Sequence, residues 1–246
     1  MLDALKRWIA GGPDGPDWPA VADWARQRGG QFKRAHDDAG FVIDGLLDGR
    51  AWRLEWGPPQ RTYIEGHELR LRMELGLSQD LQMLLMSRPL METLERQTFE
   101  RYTEQMQTHI DVATPEEMRW LAMFPKVPLG ADNKDVKRRF AAVASSPTMA
   151  AAWIAGPLAE RLAEVARGPL PAETPQVLMT LRGRVYLRQQ LAEPDVATVE
   201  AMVNLFEAAA AQAVRVTGGP HEGPDAWPST ASTAWQTQLQ PEAAKE

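Results

Sequence analysis

The stretch FVIDGLLDGRAWRLEW, Phe41 to Trp56, constrains this chain more than any other. Asp48-Gly49 separates two runs in which apolar residues recur at every second position. Asp-Gly accepts the positive φ angles that a two-residue hairpin turn demands. A helix has a period of 3.6 and cannot satisfy that alternation. Two antiparallel strands are therefore expected, the second ended by Gly57-Pro58-Pro59, because proline cannot donate to a central ladder. A third strand is expected through Tyr63 to Leu75, bent or bulged near Gly66, so that residues 41–75 form a three-stranded antiparallel meander. A second hairpin is expected in QVLMTLRGRVYLRQQ, residues 176–190, around Arg182-Gly183.

Alternation also assigns faces. Trp52, Leu54 and Trp56 share one side with Leu69, Leu71, Met73 and Leu75. Arg53 and Glu55 share the other with Glu68, Arg70, Arg72 and Glu74. Opposite charges facing across strands contribute about 0.2–1 kcal/mol each, a sufficient structural reason for most of these charges. The bend is not absorbed by that ladder. Arginine, tyrosine and histidine at a strand edge can hold an anion or a peptide carboxylate. The candidate binding residues are thus Arg61, Tyr63, His67 and Glu68, with Arg53 and Arg70 as electrostatic support. A turn with ordinary polar residues is the plainer reading of the same positions.

Elsewhere the period is helical. A short helix is expected over Ala20–Arg28, closed by Gly29-Gly30. From Ser78 to Gly168 the pattern predicts helices throughout. One begins at Ser87-Arg88-Pro89 with Met91, Leu94, Phe99 and Tyr102 on a face. A capping box at Thr114-Pro115-Glu116-Glu117 starts another, with Glu117 at its third position. Val136, Phe140 and Val143 line one helix, and Ile154, Leu158, Leu162 and Val165 line a segment that Gly156-Pro157 kinks or divides. A long helix from about Asp195 carries Val196, Val199, Val203, Phe206, Ala210 and Ala213 in one stripe and stops near Gly218-Gly219. The expected fold is α+β: the meander and the late hairpin, in one sheet, packed with several helices. Residues 1–19 read as a short helix and a Gly/Pro linker, 20–216 as a single domain, and 217–246 as a disordered tail. GPDWP near the start recurs as GPDAWP near the end, a repeat that chance supplies readily in so Pro/Gly-biased a sequence.

Composition narrows the function classes. The chain has 246 residues, a net charge of −6 and no cysteine. An acidic chain is a poor partner for nucleic-acid backbones. Absence of cysteine removes thiol nucleophiles, disulfides, iron–sulfur clusters and Cys-type zinc sites, and suits a reducing cytoplasm. No G-x-S-x-G elbow, phosphate loop or G-x-G-x-x-G after a strand is present. The four histidines, His36, His67, His109 and His221, form no zinc spacing, so no metal and no cofactor is expected. Glu55, Glu65, Glu68 and Glu74 are available for acid–base work only if the fold brings them into a cleft. No apolar run approaches the length of a membrane span. Leu2, Leu5, Trp8 and Ile9 fall on one helix face, which would suit a short interfacial anchor or, more simply, packing on the chain itself.

WRLEWGPPQRTYIEGHELRLR, THIDVATPEEMRWLAMFP and LMTLRGRVYLR together resemble a set of uncharacterised bacterial proteins that share a GR-W-RLEWGP turn, a YI-G-ELR-R strand and a PEEMRWL segment. The resemblance spans roughly residues 20–216. It implies one continuous unit in a bacterial cytoplasm, and it brings no activity, ligand or catalytic residue. The function expected from the sequence is that of a non-catalytic cytoplasmic interaction or regulatory protein with a protein partner. The alternatives are an enzyme whose dispersed site lies around the Arg61–Glu68 bend, and peripheral membrane attachment through residues 2–9. Oligomeric state and partner identity are not encoded in any readable motif.

Overall fold

In a computed structural model, residues 18–35, 40–104, 115–130 and 134–218 are described, without the side chains of 101–104. The expected N-terminal helix, the expected linker up to residue 17, most of the GPDWP repeat, His36, His109, His221 and the tail from 219 lie outside them. Among the described residues, eight strands form one sheet, antiparallel throughout: β1 Gln31–Arg34, β2 Phe41–Leu47, β3 Arg50–Gly57, β4 Glu68–Glu74, β5 Met83–Ser87, β6 Phe140–Ala144, β7 Gln176–Leu181 and β8 Arg184–Gln190. Their spatial order is β1-β2-β3-β4-β8-β7-β5-β6, so both hairpins belong to the same sheet. The described helices are α1 Pro19–Gln27, α2 Arg88–Glu104, α3 Glu116–Met123, α4 Lys134–Arg139, α5 Pro147–Ile154, α6 Pro157–Arg167 and α7 Val196–Thr217.

Both hairpin turns take the left-handed pair of conformations that matches strand twist. Asp48 and Gly49 sit at φ 50° and 78°, Arg182 and Gly183 at 51° and 76°. The second turn also supports the crossover from β4 to β5. Gly183 accepts a hydrogen bond from the Leu75 amide at 2.9 Å, and a Cβ on Gly183 would stand 2.9 Å from the Leu77 carbonyl oxygen. Glycine is required there twice, for its φ and for its lack of bulk.

One face of the sheet is apolar along its whole width. Phe41, Ile43, Trp52, Leu54, Leu69, Leu71, Leu85, Phe140, Leu178 and Leu187 form one core with α7, whose Val199, Met202, Val203, Phe206, Ala210 and Ala213 are buried. Asp195 caps α7 by accepting from the Thr198 amide at 2.9 Å, and Gly218 closes it at φ 75°. Trp153 on α5 donates to the Ala209 carbonyl at 2.9 Å, which ties the helical layer together. The tryptophans here are core: Trp18, Trp24, Trp52, Trp56, Trp120 and Trp153 are all buried. Trp18, Phe41 and Trp56 form a cluster with ring centroids 5.1–5.8 Å apart.

The described residues cover the other face only in part. Leu84, Met86, Val143, Val177 and Met179 pack beneath Leu90, Met91 and Leu94 of α2 and Met118 and Trp120 of α3. That second core takes no residue from β1, β2 or β3.

The coarse α+β expectation holds, and several finer expectations do not. The strand expected from Tyr63 begins at Glu68, and residues 58–67 are a turn in which Gly66 takes φ 70°. Residues 83–87 and 140–144, expected in helices, are strands buried on both faces. Their sequences, MLLMS and FAAVA, have no alternation because neither face meets water. Phe99 does not share the buried face of Met91 and Leu94, and it is 68% exposed. β1 had no expectation at all; it is four residues long and mostly exposed. The Gly156-Pro157 division and the extent of the last helix agree with expectation.

Candidate functional site

The sequence-derived candidates separate into two places. Arg61, Tyr63, His67 and Glu68 belong to the 58–67 turn and the start of β4. Arg53 and Arg70 belong to the outer sheet face beyond the second core.

The turn folds inward. Glu68 and Glu117 are fully buried carboxylates, and buried charge is tolerated only when it is paired and hydrogen-bonded. Glu68 Oε2 accepts from the Gln60 amide at 2.7 Å, and Oε1 accepts a short hydrogen bond from Arg188 on β8. Arg70 reaches Glu68 at 3.4 Å and the Pro58 carbonyl at 2.7 Å, pinning the proline turn to the strand. Arg61 and Tyr63 both donate to Glu117 Oε1, at 3.0 and 2.8 Å. Burial pushes the Tyr63 phenol well above its usual range, and the Glu117 charge adds to the shift. Burial alone would also raise Glu117. The Arg61 guanidinium, with Arg188 and the Tyr63 hydroxyl, outweighs it and holds the carboxyl below its usual range. The result is an ion network joining the turn, β4, β8 and α3.

Glu117 was expected to reach back to its helix terminus in a capping box. Thr114, the expected cap, lies outside the described residues; the helix begins after Pro115, and the Glu117 carboxylate serves the network. No local pattern carries that role, because its partners lie 54 and 56 residues away in sequence. Arg188 was likewise missed as a partner of Glu68, from which it is 120 residues distant.

His67 stacks on Trp56, with ring centroids 4.4 Å apart and planes 7° from parallel. The Trp56 indole is fixed in turn by donating to the Leu191 carbonyl at 2.8 Å. The histidine is thus packed as an aromatic plate rather than presented to a cleft. Among the described residues no group of three His, Asp or Glu is placed to hold a metal ion.

The outer face of β1–β4 and β8 is a charged plane. Asp44 on β2 receives Arg53 on β3 through two hydrogen bonds, at 2.7 and 3.3 Å, with Lys33 on β1 at 3.4 Å. Arg53 holds Asp44 below the usual carboxylate range against the opposing effect of burial. Glu55 lies between Arg70 at 3.3 Å and Arg72 at 4.0 Å. Arg184 pairs with Glu74. Registry departs from the simple ladder at one step: Arg53 stands directly opposite Arg72. Like charges directly opposite are destabilising. Burial lowers the Arg72 pKa, and the neighbouring Arg53 and Arg184 guanidiniums lower it further, against the pull of Glu55. Arg53, Arg72 and Arg184 are each about 30% exposed, and Leu46, at the end of the plane, is 71% exposed.

No protein-family model matches the chain, and no curated protein matches it. Among solved structures it is similar to the crystal structure of the mycobacterial trehalose monomycolate transport factor A, TtfA. The TM-score is 0.44 at 10% identity, over 82% of this chain and 96% of that one. So distant a likeness bears on neither the mechanism nor the partners of this chain. Among the described residues no helix is long and apolar enough to cross a membrane.

Proposed function

We propose that this is a non-catalytic bacterial protein of the cytoplasm, and that it works by binding another protein across the uncovered face of its sheet. The observation that carries this reading is the asymmetry of the outer face. Helices α2 and α3 pack over β5 and β6, while β1–β3 give no residue to the core beneath them and instead carry Arg53, Glu55 and the exposed Leu46. A charged sheet face spread over several paired strands suits a macromolecular partner better than a small molecule, which binds in concave sites.

The enzymatic alternative loses its groups to internal structure. Arg61, Tyr63 and Glu68 are engaged with Glu117, Gln60 and Arg188, and His67 is stacked on Trp56. Catalysis would need at least one of these aimed at an open cleft.

The test is affinity capture of the full chain and its bound protein under native conditions, followed by amide hydrogen exchange on the complex. Protection concentrated on residues 42–55 and 68–74 is the expected result. A complex that protects only other regions, or a variant at Arg61 or Tyr63 that stays folded yet abolishes a measurable turnover, would replace this reading.

A further inference from the structure

If the outer face is an interaction surface, as proposed above, its charge arrangement specifies the chemistry of the partner, and the inference rests on that reading. Lys33 and five arginines, Arg53, Arg70, Arg72, Arg184 and Arg188, share this face with four carboxylates. That excess stands on a chain whose overall charge is −6. The surplus is local, because Arg53 lies directly across from Arg72 and Arg184 sits on the next strand, beside Glu74. Cross-strand neighbours on one face are about 5 Å apart at Cα, so these guanidiniums repel one another in the free protein. An anion placed among them would relieve that repulsion and gain charge-assisted hydrogen bonds, in the planar geometry that guanidinium offers a carboxylate.

The geometry points to an acidic protein segment, bound in extended form across β2, β3, β4 and β8, with its carboxylates over Arg53, Arg72 and Arg184 and an apolar residue against Leu46. Two observations choose this occupant. Arg53, Arg72 and Arg184 are spread over three neighbouring strands, so a single small carboxylate reaches only part of them. Leu46 pairs with Ala51 at the end of the same plane, giving an apolar spot beside the charges. The four carboxylates interleaved with the arginines disfavour a uniformly charged phosphate backbone and suit a segment that alternates acidic with neutral residues.

Fluorescence anisotropy with the full chain and a fluorescein-labelled octapeptide, leucine followed by alternating serine and glutamate, tests this directly. Saturable binding is expected, weakened at least about tenfold by Arg72→Glu. It should fall as salt rises toward about 0.3 M, since exposed charges are screened there. Arg138→Gln, an exposed arginine away from this face, should leave the affinity unchanged. Arg72→Gln guards against misfolding; it should weaken binding severalfold while the circular dichroism and melting profile stay native. The proposal is overturned if the peptide does not bind, if Arg72→Glu and Arg72→Gln bind as the native chain does, or if glutarate at equal carboxylate concentration displaces the peptide as well as the peptide itself. Displacement by oligodeoxythymidylate at lower concentration would assign the face to nucleic acid instead. These outcomes separate from the broader reading. A captured protein that protects the face but binds equally well to Arg72→Glu keeps the interaction surface and removes the acidic partner, whereas protection elsewhere removes both.

Discussion

Two halves of one sheet do opposite jobs in this molecule. Around β5, β6 and β7 both faces are apolar and both are roofed by helices. Leu84, Met86, Val143, Val177 and Met179 point one way, and Met83, Leu85, Phe140, Ala142 and Leu178 the other. Around β1 to β3 the inner face is apolar and the outer face is charged. The seam between the halves is the buried network of Glu68, Glu117, Arg61, Tyr63 and Arg188, which bolts the turn after β3 to α3. The difference teaches that residue type does not set a charged group's energetic weight here; depth does. Glu55 and Glu68 lie on one face and each meets arginines, yet Glu68 is sealed and Glu55 is within reach of water.

Replacing each carboxylate by alanine puts that difference under the largest strain. Glu68→Ala strands Arg188 in the interior and is expected to lower stability by about 3–5 kcal/mol, the usual result of removing one partner from a buried pair. Glu55 keeps a path to water, its side chain being 17% exposed, and Glu55→Ala should cost about 1–2 kcal/mol. Urea unfolding of both variants checks it, and equal losses would erase the distinction between seam and plane.

The next effect compares apolar positions. Leu84→Ala on β5 opens a cavity under α2 and should lower stability by about 2–5 kcal/mol. Leu46→Ala on β2, on the same outer side of the sheet, is already exposed to water, and about 0.5 kcal/mol is expected. A large loss from Leu46→Ala in the isolated protein would mean that the plane is covered by the chain itself and is not available to a partner.

The smallest effect is the response to acid. Glu117, Asp44 and Asp195 all have pKa values depressed by folding. Their contribution is complete above the ordinary carboxylate range and is lost as pH falls through that range toward their lower folded values. Chemical unfolding at stepwise lower pH should show a steepening loss below about pH 4. Glu117→Gln keeps an acceptor for Tyr63 and should flatten that loss. At the alkaline end the sign reverses for Tyr63. Its raised pKa keeps the phenol neutral in the fold, so stability falls as pH rises past the ordinary phenol range.

Sequence alone carried the amphipathic half of the sheet well. β2 and β3 could be read because one face meets water and the other meets core, which writes an alternation that nothing else imitates. The hairpin turns at Asp48-Gly49 and Arg182-Gly183 were legible because a positive φ admits few residue types. The start of α7 near Asp195, its apolar stripe and the Gly156-Pro157 division were legible for equally local reasons. β5 and β6 were not. A strand buried on both sides has no polar phase, and short apolar runs such as MLLMS and FAAVA fit a helix just as well. The candidate site divided along the same line. Sequence singled out Arg61, Tyr63, His67 and Glu68 as the part of the stretch that the charge ladder does not absorb, and placed Arg53 and Arg70 on the solvent side. Only the tertiary structure supplied Glu117 and Arg188, the burial that turns the first group inward, and the registry that sets Arg53 against Arg72. Local periodicity fixes which way a side chain points. What it meets there depends on strand order and helix placement, which bring together residues far apart along the chain.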